Sequence, residues 1–152
     1  MGFNITKAKQ AQRGFTIVEL LIVIVVIGIL AAITIVSFNG VTAKANTTSA
    51  QAAASATIKK IEAYNAEKSG YPSNYGQLTN SADSGTSYYL SGVTLTATAF
   101  TTKPASANTV FINTCTTSGM IANYWKYDGT PGVQQIKTGD TSGTCTGVLA
   151  AS

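Results

Sequence analysis

The chain has 152 residues, about one domain's worth, and only 11% of them are charged, far below the ~25% of ordinary soluble domains. It has no histidine, which excludes a Ser-His-Asp triad and any histidine-built metal centre. Two widely separated cysteines make no zinc site, no Gly-Lys-Ser/Thr phosphate loop is present, and Asp83, Asp128 and Asp140 lie scattered in turn-rich segments. The expectation is a protein that is not an enzyme and holds no cofactor and no metal.

In chain order, the first feature is a basic leader with Lys7, Lys9 and Arg13, closing at Gly14. A lone acid follows at Glu19, and the next charge is Lys44, so residues 20–43 form a run of twenty-four without a formal charge. A bilayer span needs ~20 mainly apolar residues in a helix. The leader's cations orient such a span with its N-terminus in the cytoplasm and the rest outside. An acid at the lip of the span is costly unless paired, and therefore reads as functional. Two plainer readings compete: a secretory signal peptide cut near residues 43–45, and a simple single-span anchor. The apolar run exceeds the ~7–15 residues of a signal-peptide core, and Glu19 is out of place in one.

Arg13-Gly14-Phe15-Thr16-Ile17-Val18-Glu19, continued by the apolar residues 20–33, resembles the N-terminus of a type IV prepilin. The resemblance covers about twenty residues. It implies that a prepilin peptidase cleaves between Gly14 and Phe15 and methylates the new amine of Phe15. It also implies that Glu19 guides assembly by pairing with the N-terminal amine of a neighbouring subunit. Many pilins carry a proline eight residues after the position of Gly28, where this chain has Val36, so melting of the helix between Gly28 and Val36 in a filament is not implied. The implied partners are further copies of the chain in a helical filament, the peptidase, an inner-membrane platform with its assembly and retraction ATPases, and the membrane before assembly. The implied function is that of a structural subunit, the major pilin of a surface pilus serving adhesion, twitching motility or DNA uptake, with DNA or a host surface as ligand. The alternatives are a pseudopilin of a type II secretion system, hinted at by Gly70-Tyr71-Pro72, and a minor or tip pilin with a binding role. Removal of the leader leaves seven basic against six acidic side chains, so the net charge of +4 argues nothing about nucleic acid. Ser and Thr number 36, a neutral, hydroxyl-rich surface open to O-glycosylation.

Physical chemistry supports the Glu19 reading independently. An α-amino group titrates near ~7.7–8 and is largely protonated at neutral pH. A carboxylate four residues on can satisfy it, in its own chain or in a staggered neighbour. Leaving either charge unpaired in an apolar bundle costs several kcal/mol, so the pair acts as a key to register; the competing reading is that Glu19 only snorkels to the interface. Thirteen Leu, Ile or Val residues lie at 20–36, a gross roughly 20–40 kcal/mol of burial that lipid or a helix bundle must supply. Gly28, Ala31 and Ala32 permit close helix approach.

The helical pattern continues to Lys68, with Ala50, Ala54, Ile58 and Ile61 spaced as one apolar stripe, and Ser69-Gly70-Tyr71-Pro72 as the stop. A continuous helix over 15–68 would be roughly 80 Å long. Its second half is expected to pack on a domain and its first half to project. Residues 71–91 read as a surface connection. Residues 93–99 alternate as a strand, residues 109–115, 121–127 and 133–137 are further strands, and Asp128-Gly129-Thr130-Pro131-Gly132 is a hairpin turn. The expected fold is α+β: a leader at 1–14, a hydrophobic helix at 15–44, and a globular part at 45–152 with a small antiparallel sheet on the distal helix. Cys115 and Cys145, 30 positions apart, leave two readings open, a disulfide favoured by an oxidising exterior or two buried thiols. The resemblance implies the disulfide, because many type IV pilins close a C-terminal loop this way. Tyr124-Trp125-Lys126-Tyr127 could stack on a base or a glycan, but Ile121, Trp125 and Tyr127 share one strand face, which reads as core.

Overall fold

The computed structural model describes residues 14–151, so the leader ahead of Gly14 lies outside the described residues. Helix α1 spans Ile17–Lys68, and the chain divides into two compact units between Asn39 and Gly40. Good helix formers and the lack of any proline before Pro72 sustain the helix. It ends where Ser69 takes φ +55°, so the left-handed stop falls on the serine rather than on Gly70.

In the first unit the large apolar side chains are open: Ile17 is 86% exposed, Leu20 62% and Val26 48%. Among the described residues, α1 is long and apolar enough to cross a membrane.

In the second unit the expected stripe is buried. Ala50, Ala54 and Ile61 are fully enclosed and Ile58 nearly so. Ala54, Ile58 and Ile61 cluster with Val110, Ile112, Met120 and Ala122 of the sheet. Thr57 is enclosed with them, its hydroxyl satisfied by donating to the Ala53 carbonyl at 2.8 Å.

The sheet comprises β1 (Thr94–Thr96), β2 (Thr109–Thr114), β3 (Gly119–Lys126), β4 (Gly132–Gly139) and β5 (Gly147–Val148). Its order is β1-β2-β3-β4, with β5 also paired to β2. The pairs β2–β3, β3–β4 and β2–β5 are antiparallel, but β1 runs parallel to β2. The sheet is therefore mixed, not wholly antiparallel as the sequence suggested. A parallel neighbour requires a crossover of about a dozen residues, and residues 97–108 provide it. β1 is also shorter than the alternation at 93–99: the Thr98 amide donates to Thr96 Oγ1 at 3.2 Å, a local bond that turns the chain out of the strand. The β3–β4 turn uses Gly129 at φ +62°, as its composition anticipated.

Two further expectations are corrected. Residues 71–91 are not a mere surface connection. They form α2 (Gly76–Thr79) and a 3₁₀ turn (Ser81–Asp83), and contribute Leu78 and Leu90 to the core. Tyr75 anchors this segment by donating its phenol to the Thr96 carbonyl, and burial raises the phenol above its usual pKa. On β3, the residues in the helix-side core are Met120 and Ala122, with Tyr124 packed against them. Ile121 and Trp125 occupy the opposite face. The parity is reversed because that outer face is also covered: Phe111 is 4% and Ile121 6% exposed.

Candidate functional site at the start of the helix

The first turn of α1 is closed by a capping box. The Thr16 amide and hydroxyl both donate to Glu19 Oε2 at 2.8 Å, and the Glu19 amide donates back to Thr16 Oγ1 at 3.2 Å. The acid also sits at the positive end of the helix dipole, where a negative charge is favoured. Glu19 Oε1 accepts no hydrogen bond among the described residues. The site is thus a carboxylate held by its own helix through one oxygen and open through the other.

Its surroundings are apolar. Phe15 is 89% exposed, and Phe15, Glu19, Leu20, Ile22 and Val23 line an open groove of about 520 Å³. A Cβ at Gly14 would meet nothing within 4 Å, and the same holds at Gly28, so packing among the described residues requires glycine at neither position. Of the sequence-derived site, Gly14, Phe15 and Glu19 lie together at this end. The partner that sequence reasoning passed over is Thr16, although the spacing Thr-x-x-Glu before an apolar run was its signal.

Cys115 and Cys145 are joined, which removes the free-thiol reading and ties the end of β2 to the C-terminal segment. The aromatic cluster at 124–127 does not form one platform. Tyr124 packs on the helix-side core, Trp125 lies on the other face, and the Tyr127 hydroxyl donates to the Pro104 carbonyl at 3.4 Å. Among the described residues no cluster of His, Cys, Asp or Glu could hold a metal ion.

The aspartates serve backbone geometry. Asp128 Oδ1 accepts the Thr47 hydroxyl at 2.6 Å, while Thr47 Oγ1 accepts the amides of Tyr127 at 2.9 Å and Asp128 at 3.2 Å. One hydroxyl thereby joins α1 to the β3–β4 turn. That hydroxyl is the main cause holding the Asp128 carboxyl below its usual range, with smaller help from Lys44 and Lys126. Asp140 is likewise lowered by its hydrogen bonds with Ser142, side chain first and then backbone.

A single long apolar helix with a capped acid in its first turn, joined to a small mixed sheet, is an α+β layout of the pilin kind. The family described as the prokaryotic N-terminal methylation motif matches residues 9–35, in keeping with the resemblance of the N-terminal segment to type IV prepilins. The chain is 36% identical over 66 residues to a fimbrial protein, EcpC, of Eikenella corrodens. That similarity spans 43% of this chain and 43% of the relative, less than half of either. No solved structure matches the chain significantly.

Proposed function

We propose that this chain is the major structural subunit of a type IV pilus, made as a membrane-anchored precursor with its N-terminus in the cytoplasm and polymerised into a surface filament. In this reading prepilin peptidase cleaves between Gly14 and Phe15 and the Phe15 amine is methylated. Lipid holds the apolar helix before assembly, and the same helices from neighbouring copies enclose it afterwards. Because lipid and bundle are similarly apolar, transfer between them has a modest net cost. A platform and its ATPases can then drive growth and retraction.

The observation that carries the reading is the row of open apolar side chains in 17–41, led by a single acid with one carboxylate oxygen unused among the described residues. In the bundle that oxygen accepts the N-terminal ammonium of an adjacent subunit, and the stagger between helices is set by the pairing. The fimbrial relative and the methylation motif support the same reading.

The test separates insertion from assembly. Glu19→Val removes a charge from an apolar run, so insertion and cleavage persist, while the yield of sheared filaments collapses. Glu19→Gln, which keeps an acceptor without the charge, is intermediate. Wild-type filament yield from Glu19→Val would mean that helix packing alone sets the register and that Glu19 only snorkels to the interface, whereas sheared surface filaments that lack this chain in the wild type would overturn the pilus reading.

A further inference from the structure

The outer face of the sheet carries a row of amide side chains running across the strands. Gln135 Nε2 on β4 donates to Asn123 Oδ1 on β3 at 3.0 Å, and Asn123 Nδ2 donates to Asn113 Oδ1 on β2 at 2.8 Å. Asn113 Nδ2 then donates to the Gly147 carbonyl of β5 at 3.2 Å. Asn123 is only 2% exposed and fully engaged, its Nδ2 also reaching the Phe111 carbonyl at 3.0 Å. The row ends at Gln135, which is exposed on an edge strand. Its Oε1 has no partner among the described residues, and its Nε2 keeps a second N–H.

That edge is the long free side of the sheet. β4 has eight residues paired on one side with β3. Val133, Gln134, Gln135 and Lys137 are exposed. Natural edges are guarded by shortness, bulges, prolines or inward charges. Exposed lysines guard edges too, and β4 carries one of them, Lys137 on the outer face, but no proline, no bulge and no inward charge along its eight residues.

We propose that β4 is a self-association edge, at which two copies of this chain pair antiparallel about a two-fold axis through Gln135. In this register Gln135 faces Gln135 of the second copy, and each side-chain amide gives its spare N–H to the other's Oε1. The two amide rows become one. Val133 faces Lys137 of the second copy, so the lysine stem lies over an apolar side chain and no like charges are opposed. Gln134 faces Ile136, and Gly132 faces Thr138. A register centred on Lys137 would oppose two cations and is disfavoured. An isologous contact cannot be the repeating contact of a helical filament, which is heterologous. The edge therefore joins subunits of different filaments, a consequence that rests on the pilus reading, whereas the pairing itself does not.

The test uses the full-length mature protein, in detergent and as sheared filaments. Gln135→Cys under mild oxidation gives disulfide-linked dimers in several-fold excess over Ser84→Cys, an exposed control away from the edge. Equal yields, or cross-linking to a product of another mass, would overturn the proposal. On filaments, Gln135→Lys and Gln135→Glu each abolish lateral bundles seen by electron microscopy, and mixing the two restores them. Such restoration cannot arise from misfolding. Bundles that persist in either single variant, or stay absent from the mixture, would overturn the proposal. The cross-link needs no filament, so its failure is distinguishable from failure of the pilus reading, which the presence of this chain in sheared wild-type filaments tests.

Discussion

At Thr16 one side chain performs two tasks, giving the first helical turn an acceptor for a free amide and fixing the carboxylate of Glu19. Thr16→Val removes the cap, which costs about 1 kcal/mol, and frees Glu19 to rotate. Hydrogen exchange of the amides at 17–20 in detergent will quicken several-fold, and Thr16→Ser will restore the wild-type rate; unchanged exchange in Thr16→Val would mean that the box stabilises nothing. In the proposed reading, processing nearby depends on size. A Cβ at Gly14 meets nothing within 4 Å among the described residues, so uncleaved precursor accumulating in Gly14→Leu reports on the peptidase and not on folding. The product to look for by mass spectrometry begins at Phe15 with one added methyl. In the core, Ile61 is wholly enclosed, and Ile61→Ala is expected to cost about 2–5 kcal/mol, read as a lower unfolding midpoint.

Among the elements, the joint between α1 and the β3–β4 turn depends on Thr47. Its hydroxyl bonds two amides and one carboxylate of a turn 81 residues away. Thr47→Val leaves those amides without their acceptor and is expected to cost about 1–3 kcal/mol. The Lys44–Asp128 contact, at 3.6 Å with the lysine largely in water, adds little. The joint is sensitive to acid. Since the folded-state pKa of Asp128 is depressed, its contribution is fully present above the unfolded value of ~4 and is lost as pH falls from there through the folded value. Protection of the Tyr127 and Asp128 amides should therefore weaken below about pH 4. Asp128→Asn should show lower protection near neutrality and a flatter profile; an identical profile in the two proteins would exclude the carboxylate as the cause.

For the molecule as a whole, the Cys115–Cys145 bond closes a segment of 30 positions that contains β3 and β4. In the chain-entropy account such a closure is worth ~3–4 kcal/mol. Cys145→Ser should lower the stability of the second unit by about that much while cleavage after Gly14 proceeds normally, since the leader and the bond lie in different units. Thermal melting with parallel immunoblotting of the precursor checks both halves of the statement. The same bond holds β5 near β2, where Asn113 reaches Gly147, so reduction is also expected to loosen the inner end of the amide row.

The sequence by itself determined the helix and what lies at its start. An uncharged run over 20–43, a single acid at Glu19, and the stripe Ala50-Ala54-Ile58-Ile61 are local patterns, and a helix is built from local bonds, so spacing along the chain maps directly onto its faces. The β3–β4 hairpin was legible for the same reason, its turn chemistry lying within five residues. Tertiary structure alone decided which face of β3 meets the helix. Residues 120–125 are largely apolar at both parities, and because both faces are covered, alternation carries no preference between them. It alone decided that β1 runs parallel to β2, that residues 71–91 enter the core, and that Thr47 meets Asp128. Each of these joins groups distant in sequence through packing and hydrogen bonds whose energies depend on spatial proximity, which no local periodicity records.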